Sequence, residues 1–361
     1  MRTILAEELL YKIMEWSPDR IREERPLIQA LSLYKYNNYQ QFTPGMRFIE
    51  SLGRWLKQIN GKDEKELAYN FLKKNLIFFS NEQVHHLVSL AYPLVVDPLI
   101  KKLTAKDLNI SDYLLSKIVS SNEYSINKRR ALFIGLSDGA KIDYFRRSSG
   151  ISNEQVYPTY QISDEKAADL VIQLEKEINY KTFNTVFLLD DFTASGKSYF
   201  RIEGKEEKGK IPKFLNQYIN SSNSEVTRLF DFKNLTIIII FYIATESAID
   251  SIKSSIEKWK FEKKSNINIL VNAIQILGQQ ITDSLKSDEN LVNLLKKYFD
   301  PELIDMHYKK GNHNFPYFGF NECALPLILN HNTPNNSLPI LWMPEDKKYV
   351  GLFPRVTRHK E

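Results

Sequence analysis

Asp190 and Asp191, followed by Phe192, Thr193, Ala194, Ser195, Gly196, Lys197 and Ser198, are the residues of this chain whose types and order could do chemistry. Directly before them stand Thr185, Val186, Phe187, Leu188 and Leu189, a short apolar run of the kind that forms a buried strand. Two adjacent carboxylates at the end of such a strand cost several kcal/mol to keep together unless solvent, a metal or hydroxyl donors answer them. A ribose supplies two neighbouring hydroxyls able to donate to such a pair. The turn that follows is small and rich in hydroxyls, and Gly196 lets the backbone come close to a ligand. If a helix or tight turn starts there, its amides converge on one anion. Acids for a sugar and amides for its 5′-phosphate, a few residues apart, describe a site for a ribose-5-phosphate group.

Two other readings of the same residues compete. Gly196, Lys197 and Ser198 end like a P-loop, but that motif needs a glycine five positions earlier, where Asp191 stands and would repel phosphates. The acids could instead cap a loop, although the hydroxyl-rich tail argues for more than a turn. Outside this stretch the signals are weaker. Ser137, Asp138 and Gly139 make a short turn after a second apolar run, 131–136. His85 and His86 are adjacent and cannot share one helical face as metal ligands do. His307, His313 and Cys323 lack a fourth ligand at suitable spacing. Asn332, Thr333, Asn335 and Asn336 could read a base edge or close over a sugar, because amides both donate and accept. They could equally form a turn whose asparagines satisfy their own backbone. The charged segment 201–210 reads as a solvated loop, or as lysines that grip a phosphate or a partner.

The elements that must position these residues follow from apolar periodicity. Residues 1–128 read as helices almost throughout, with Ser80 and Gln83 spaced as a capping box and with Pro93 and Pro98 as helix breaks. Short apolar runs at 131–136, 185–189 and 235–244, with 267–277 as a further candidate, then alternate with helical segments at 165–178, 212–219 and 247–259. Buried strands alternating with helices specify an α/β fold with a parallel sheet, in which ligands bind at the carboxyl ends of the strands. Asp190, Asp191 and the turn 137–139 all fall at such ends. The expected division is an N-terminal helical domain at 1–128, an α/β core at 129–300, and a C-terminal hood with a basic tail at 301–361.

An apolar run, two acids, an apolar residue and a Thr/Ser/Gly-rich turn, as at 185–198, resemble the phosphoribosyl diphosphate (PRPP) motif of type I phosphoribosyltransferases. The resemblance implies that Asp190 and Asp191 hold the ribose hydroxyls and that Thr193, Ala194, Ser195, Gly196, Lys197 and Ser198 hold the 5′-phosphate. It makes Ser137, Asp138 and Gly139 similar to the pyrophosphate loop, with magnesium carried by the substrate between Asp138 and the pyrophosphate. Residues 145–164 then stand where the catalytic loop is expected, with Arg146 and Arg147 but little else that is basic. The segment 201–210, with Gly209 and Lys210 before a helix, and the late segment 331–342 are similar to the phosphoribosyltransferase-like effectors of bacterial anti-phage conflict systems. That likeness implies an effector acting on PRPP or a nucleotide at ribose C1′ beside a protein partner. The same site without catalysis would serve a nucleotide-sensing or scaffold protein.

Bulk properties set outer bounds. A chain of 361 residues with 43% hydrophobic content has enough apolar mass for two or three packed units. A formal charge of +5 is too small to argue for nucleic acid. The single cysteine excludes an internal disulfide and suits a reducing compartment. Acids near the start stand where a signal peptide would need an apolar core, and the run 235–244 is about half of the ~20 residues that span a bilayer. The expectation is a cytoplasmic protein without a membrane segment.

Overall fold

The computed structural model describes residues 3–204, 206–218, 225–305, 308–311 and 314–355. Its contacts divide the chain into two compact units, Met1–Val84 with Gln279–Glu361, and His85–Gly278. The strands of the described residues are β1 (Ile77–Phe79), β2 (Ala131–Gly135), β3 (Val156–Tyr157), β4 (Thr185–Thr193), β5 (Arg201–Glu203), β6 (Glu206–Lys208), β7 (Thr236–Thr245), β8 (Asn268–Leu277) and β9 (Leu327–Leu329).

The unit His85–Gly278 is built on a parallel sheet of order β3-β2-β4-β7-β8. Its central strands are the continuous apolar runs of the sequence: every residue of β2 and of β7 is buried. One face, with Leu132, Ile134, Val186, Leu188, Ile237 and Ile239, packs in a single core with side chains of the helices Asp164–Ile178, Lys210–Tyr218 and Glu246–Lys263. On the other face Phe133 stacks on Phe187 with ring centroids 4.8 Å apart and meets Phe145 of the helix Ile142–Ser149. This is the parallel sheet flanked by helices that the alternating pattern specifies. The strand carrying the acids is longer than its apolar run: β4 continues through Asp190 and Asp191 to Thr193, and Asp190 is in register with Phe241 of β7. The acids therefore sit inside the ladder, on opposite faces by strand alternation.

The other unit packs helices from both ends of the chain around one core that includes Leu52, Trp55, Phe78, Leu294, Leu341 and Phe353. Parallel pairing of β1 with β9 ties Ile77 to Leu327, and Trp55 Nε1 donates to Ile340 O at 2.8 Å. These units are bounded differently from the three segments expected at 1–128, 129–300 and 301–361. Residues 85–128 join the sheet unit, where Gln155 Nε2 donates to Lys128 O at 2.7 Å and the His85 ring stacks on Tyr144. The final segment is held by the N-terminal helices, whose core it fills. Residues 356–361 of the expected basic tail lie outside the described residues.

Locally, the Ser80–Gln83 capping box forms in both directions, at 2.9 and 3.2 Å. Pro93 and Pro98 do not break the helical path as expected. Pro93 lies in a π turn, Tyr92–Val96, and Pro98 directly after it, at the start of Asp97–Asp107, where the π turn adjusts the helical ladder to its missing amide donor. Among the described residues no helix is long and apolar enough to cross a membrane.

Candidate functional site

The two acids differ sharply in setting. Asp190 is fully buried, with none of its surface exposed, whereas Asp191 is half-buried. Every partner of Asp190 approaches as a donor. Ser137 Oγ and the Asp191 amide, at 3.0 Å, donate to Oδ1; Tyr199 OH at 2.8 Å and the Lys210 ammonium at 2.6 Å donate to Oδ2. Lys210 also lies 4.8 Å from the centre of the Tyr199 ring. Burial and the neighbouring Asp191 carboxylate push the Asp190 carboxyl up to about 6, against the pull of Lys210 and Ser137. Burial, with the two carboxylates nearby, likewise drives the Tyr199 and Tyr242 hydroxyls upward. Tyr199 therefore stays neutral, with its one hydroxyl proton shared between Asp190 Oδ2 and Phe192 O, the latter at 2.9 Å.

The turn after β2 is brought against the acids. Ser137 donates to Asp190, and Gly139 packs on Asp191 so closely that a Cβ placed there would lie 2.5 Å from Asp191 Oδ2. Tyr242 of β7 holds the turn from beneath, donating its hydroxyl to Ala140 O at 2.6 Å. Asp138 is exposed at the tip. The structure thus joins the two stretches singled out in the sequence, 137–139 and 190–198, at neighbouring strands β2 and β4.

The loop after β4 is pinned on three sides. Thr193 Oγ1 accepts from the Gly196 amide at 3.3 Å. Thr245, which caps the helix Glu246–Lys263 by accepting from the Ala248 amide, donates to Ala194 O at 2.7 Å. Gly196 has φ +71° and lies against that helix, where a Cβ would be 2.9 Å from Ala248 O. Only glycine fits that combination of backbone and space. Among the described residues no protein acceptor takes the amides of Ser195, Lys197 and Ser198. Three amide donors on a glycine turn are what an anion requires.

Tyr199 was not singled out in the sequence, and Lys210 figures there only as part of the charged segment and the Gly209–Lys210 pair, without a role at Asp190. The segment 201–210 is not a solvated loop: β5 and β6 pair as an antiparallel hairpin held by charged contacts such as Lys263 to Glu207 at 2.9 Å. Gly209, with φ +121°, passes so close to Tyr199 O that a Cβ would stand 2.4 Å away. The amides of Lys210 and Ile211 then donate to Ser198 O and Tyr199 O, at 3.1 and 3.0 Å, which brings Lys210 onto Asp190. The signal available in the sequence was the Gly209–Lys210 pair ahead of a helix.

The remaining candidates have partners of their own. Thr333 is fully buried in the first unit, where Tyr39 OH is 3.0 Å from its Oγ1, and Asn336 Nδ2 donates to Phe320 O at 3.1 Å. Asn332 Oδ1 accepts from the Thr333 amide at 2.9 Å, and Asn335 O accepts from the Phe320 amide at 2.8 Å. These bonds build a turn. The His85 ring stacks on Tyr144 with centroids 4.1 Å apart. His307 and His313 lie outside the described residues, and Cys323 receives a contact from Asn336 Nδ2. Among the described residues no three His, Cys, Asp or Glu side chains are arranged to hold a metal ion.

Comparison with curated proteins finds no match, and comparison with solved structures finds none either. Comparison with family models gives one that spans most of the chain, including the sheet and both turns of the site. The chain belongs to the PRTase-CE family, a phosphoribosyltransferase-like family, whose model matches residues 52–355.

Proposed function

We propose that this protein binds the ribose-5-phosphate group of PRPP or of a nucleotide between the turn 137–139 and the loop 193–198, and acts at the ribose C1′. The observation that carries the reading is the contact of Gly139 with Asp191, which sets a ribose-competent carboxylate directly beside the turn suited to a pyrophosphate. The half-buried Asp191 accepts the sugar hydroxyls, and the amides of Ser195, Lys197 and Ser198 take the 5′-phosphate. Substrate magnesium neutralises the pyrophosphate, beside which Asp138 could not otherwise stand. The bond from C1′ to the pyrophosphate oxygen breaks with its electron pair leaving on oxygen. A nucleophile, a base nitrogen or water, then donates a pair to C1′, and the proton it sheds passes to the departing pyrophosphate. Asp191 orients the sugar and steadies the positive charge that develops on the ring, as preorganised charge does best in a site that excludes water.

A second reading, binding without turnover, is favoured by a specific feature. Between β3 and the helix Asp164–Ile178 the chain is only Pro158, Thr159, Tyr160, Gln161, Ile162 and Ser163, with no basic side chain to cover a pyrophosphate. Arg147 and Arg146 are held in their own helix by Asp143, the latter at 3.8 Å. Phosphorus NMR of PRPP with magnesium, the protein and a panel of bases separates the two. New pyrophosphate resonances mean transfer or hydrolysis, and broadened PRPP resonances without product mean a sensor. Sharp, unchanged PRPP signals at saturating protein would refute both.

The effector role in a bacterial anti-phage system, beside a protein partner, rests on the family resemblance. It predicts that phage resistance conferred by the intact system is lost on Asp191→Asn, and unchanged plaque counts would oppose it.

A further inference from the structure

Lys210 lies outside both turns of the proposed site, yet it is the cation of the innermost carboxylate. A carboxylate with no exposed surface neutralises itself unless a positive charge or several donors hold it ionised. Around Asp190 the Ser137 hydroxyl, the Asp191 amide and the Lys210 ammonium each have a proton to give, and the single Tyr199 hydroxyl proton is shared between Asp190 Oδ2 and Phe192 O. That set fits an ionised carboxylate. A protonated one would have to donate, and its donors would have to turn away. The consequence would travel, because Ser137 begins the turn whose Gly139 rests on Asp191. Lys210, Asp190, Ser137, Gly139 and Asp191 form one connected path from the hairpin β5–β6 to the outer carboxylate.

The hairpin is built to deliver this lysine. Gly209 removes the side chain that would collide with Tyr199 O, and the amides on either side of Lys210 Cα zip to Ser198 O and Tyr199 O. Its ammonium lies over the Tyr199 ring, and its side chain is 28% exposed while Asp190 is not exposed at all. Solvent therefore reaches Lys210, as it does Ser137, but not the Asp190 carboxylate between them.

We propose that Lys210 is a positioning residue of the ribose-phosphate site, holding Asp190 ionised so that Ser137 and the 137–139 turn stay seated against Asp191. The inference rests on the proposed binding function for its ligand, but not for its electrostatics. The charged and titratable groups facing Asp190 are Asp191 from its own strand, Lys210 from the hairpin, Tyr199 from the loop and Tyr242 from β7. With Lys210 gone, burial and Asp191 remain unopposed by any cation, so the pH at which Asp190 takes a proton rises.

The test is calorimetric titration of magnesium–PRPP into the wild type, Lys210→Arg and Lys210→Met between pH 5.5 and 8.5. Wild-type affinity should fall only towards and below pH 6. In Lys210→Met the fall should move upward by at least one pH unit, weakening binding relative to the wild type about twofold at pH 7 and about five- to eightfold between pH 6 and 5.5, with recovery at the alkaline end. Lys210→Arg should restore the wild-type profile. Wild-type affinity in Lys210→Met, or a loss equal at every pH, would overturn the proposal, the latter indicating a merely structural lysine. If the wild type binds no PRPP, the function proposed above has failed, and thermal unfolding against pH still decides this inference. The wild-type decline in stability on raising pH through about 6 should shift upward in Lys210→Met. The shift should vanish when Asp190→Asn is added, and its absence in Lys210→Met alone would refute the role.

Discussion

Gly139→Ala puts the geometry of the two turns to a direct trial. The new Cβ would lie 2.5 Å from Asp191 Oδ2 and 2.6 Å from its Cγ, where ordinary contact begins at 3.4 Å, so the carboxylate must retreat by about 0.9 Å. The obstacle is a side chain, not backbone, and Gly139 does not have the positive φ that would strain an alanine. The stability cost should therefore stay near the low end of overpacking, about 1–2 kcal/mol, partly offset by the lower entropy of the unfolded chain. Ligand binding has no such escape. A carboxylate moved by that distance loses a charge-assisted hydrogen bond to the ribose of about 1.5–3 kcal/mol, or about 10- to 150-fold in Kd. Calorimetry with magnesium–PRPP, paired with thermal unfolding, reads both quantities on the same preparation. The expected outcome is a melting shift of a few degrees with a large loss of affinity. Unchanged affinity in Gly139→Ala would refute the claim that the placement of Asp191 matters. A collapse in stability would refute the claim that only a side chain stands in the way.

Other outcomes follow from the same contacts. Gly196→Ala meets Ala248 O and Ile252 Cγ1, each at 2.9 Å, from a backbone at φ +71°; it should cost about 2–3 kcal/mol in a urea melt and abolish phosphate binding together with stability. Tyr39→Phe removes the hydroxyl shared with Thr333 and Pro354 O and should cost about 1–2 kcal/mol by the same melt. Because the turn at 332–336 is structural on this account, PRPP affinity should not change, and a lost affinity would reinstate that turn as a ligand contact. The stability profile carries a signature of Asp190. Its carboxyl, at about 6 against 3.8 for the ordinary group, favours the fold fully below the lower value and loses that contribution as pH rises through the upper one. The loss is about 3 kcal/mol and should be missing in Asp190→Asn. Parallel profiles for the two proteins between pH 4 and 7 would show that Asp190 is not held as described.

What the sequence revealed depended on how local the cause was. The strands β2, β4 and β7 were legible because a strand buried on both faces is an uninterrupted apolar run, and Ile237 to Ile240 admits no other reading. The capping box at Ser80 was legible because its two bonds join residues three apart. The end of β4 was not, since pairing with β7 carries the ladder past Leu189 through two acids whose composition signals a loop. The hairpin β5–β6 was missed for a related reason. Glu203, Glu206 and Lys208 are solvated types, and what orders them is a set of ion pairs and a glycine pressed on Tyr199 rather than any apolar period. The partners of Asp190 come from 9, 20 and 53 residues away, and no spacing rule connects them. Nor does the sequence announce that the last segment completes the core of the first: Leu327 pairs with Ile77 only because both strands are too short to stand alone.

The central claim, that the half-buried acid and the glycine turn form a ribose-5-phosphate site, is tested most directly by titrating magnesium–PRPP into the wild type and into Asp191→Asn. The account predicts saturable binding by the wild type that weakens at least tenfold in the variant, with the melting temperature of the two proteins close. Equal affinity in both would contradict it, because a ligand indifferent to Asp191 is not held by the site described.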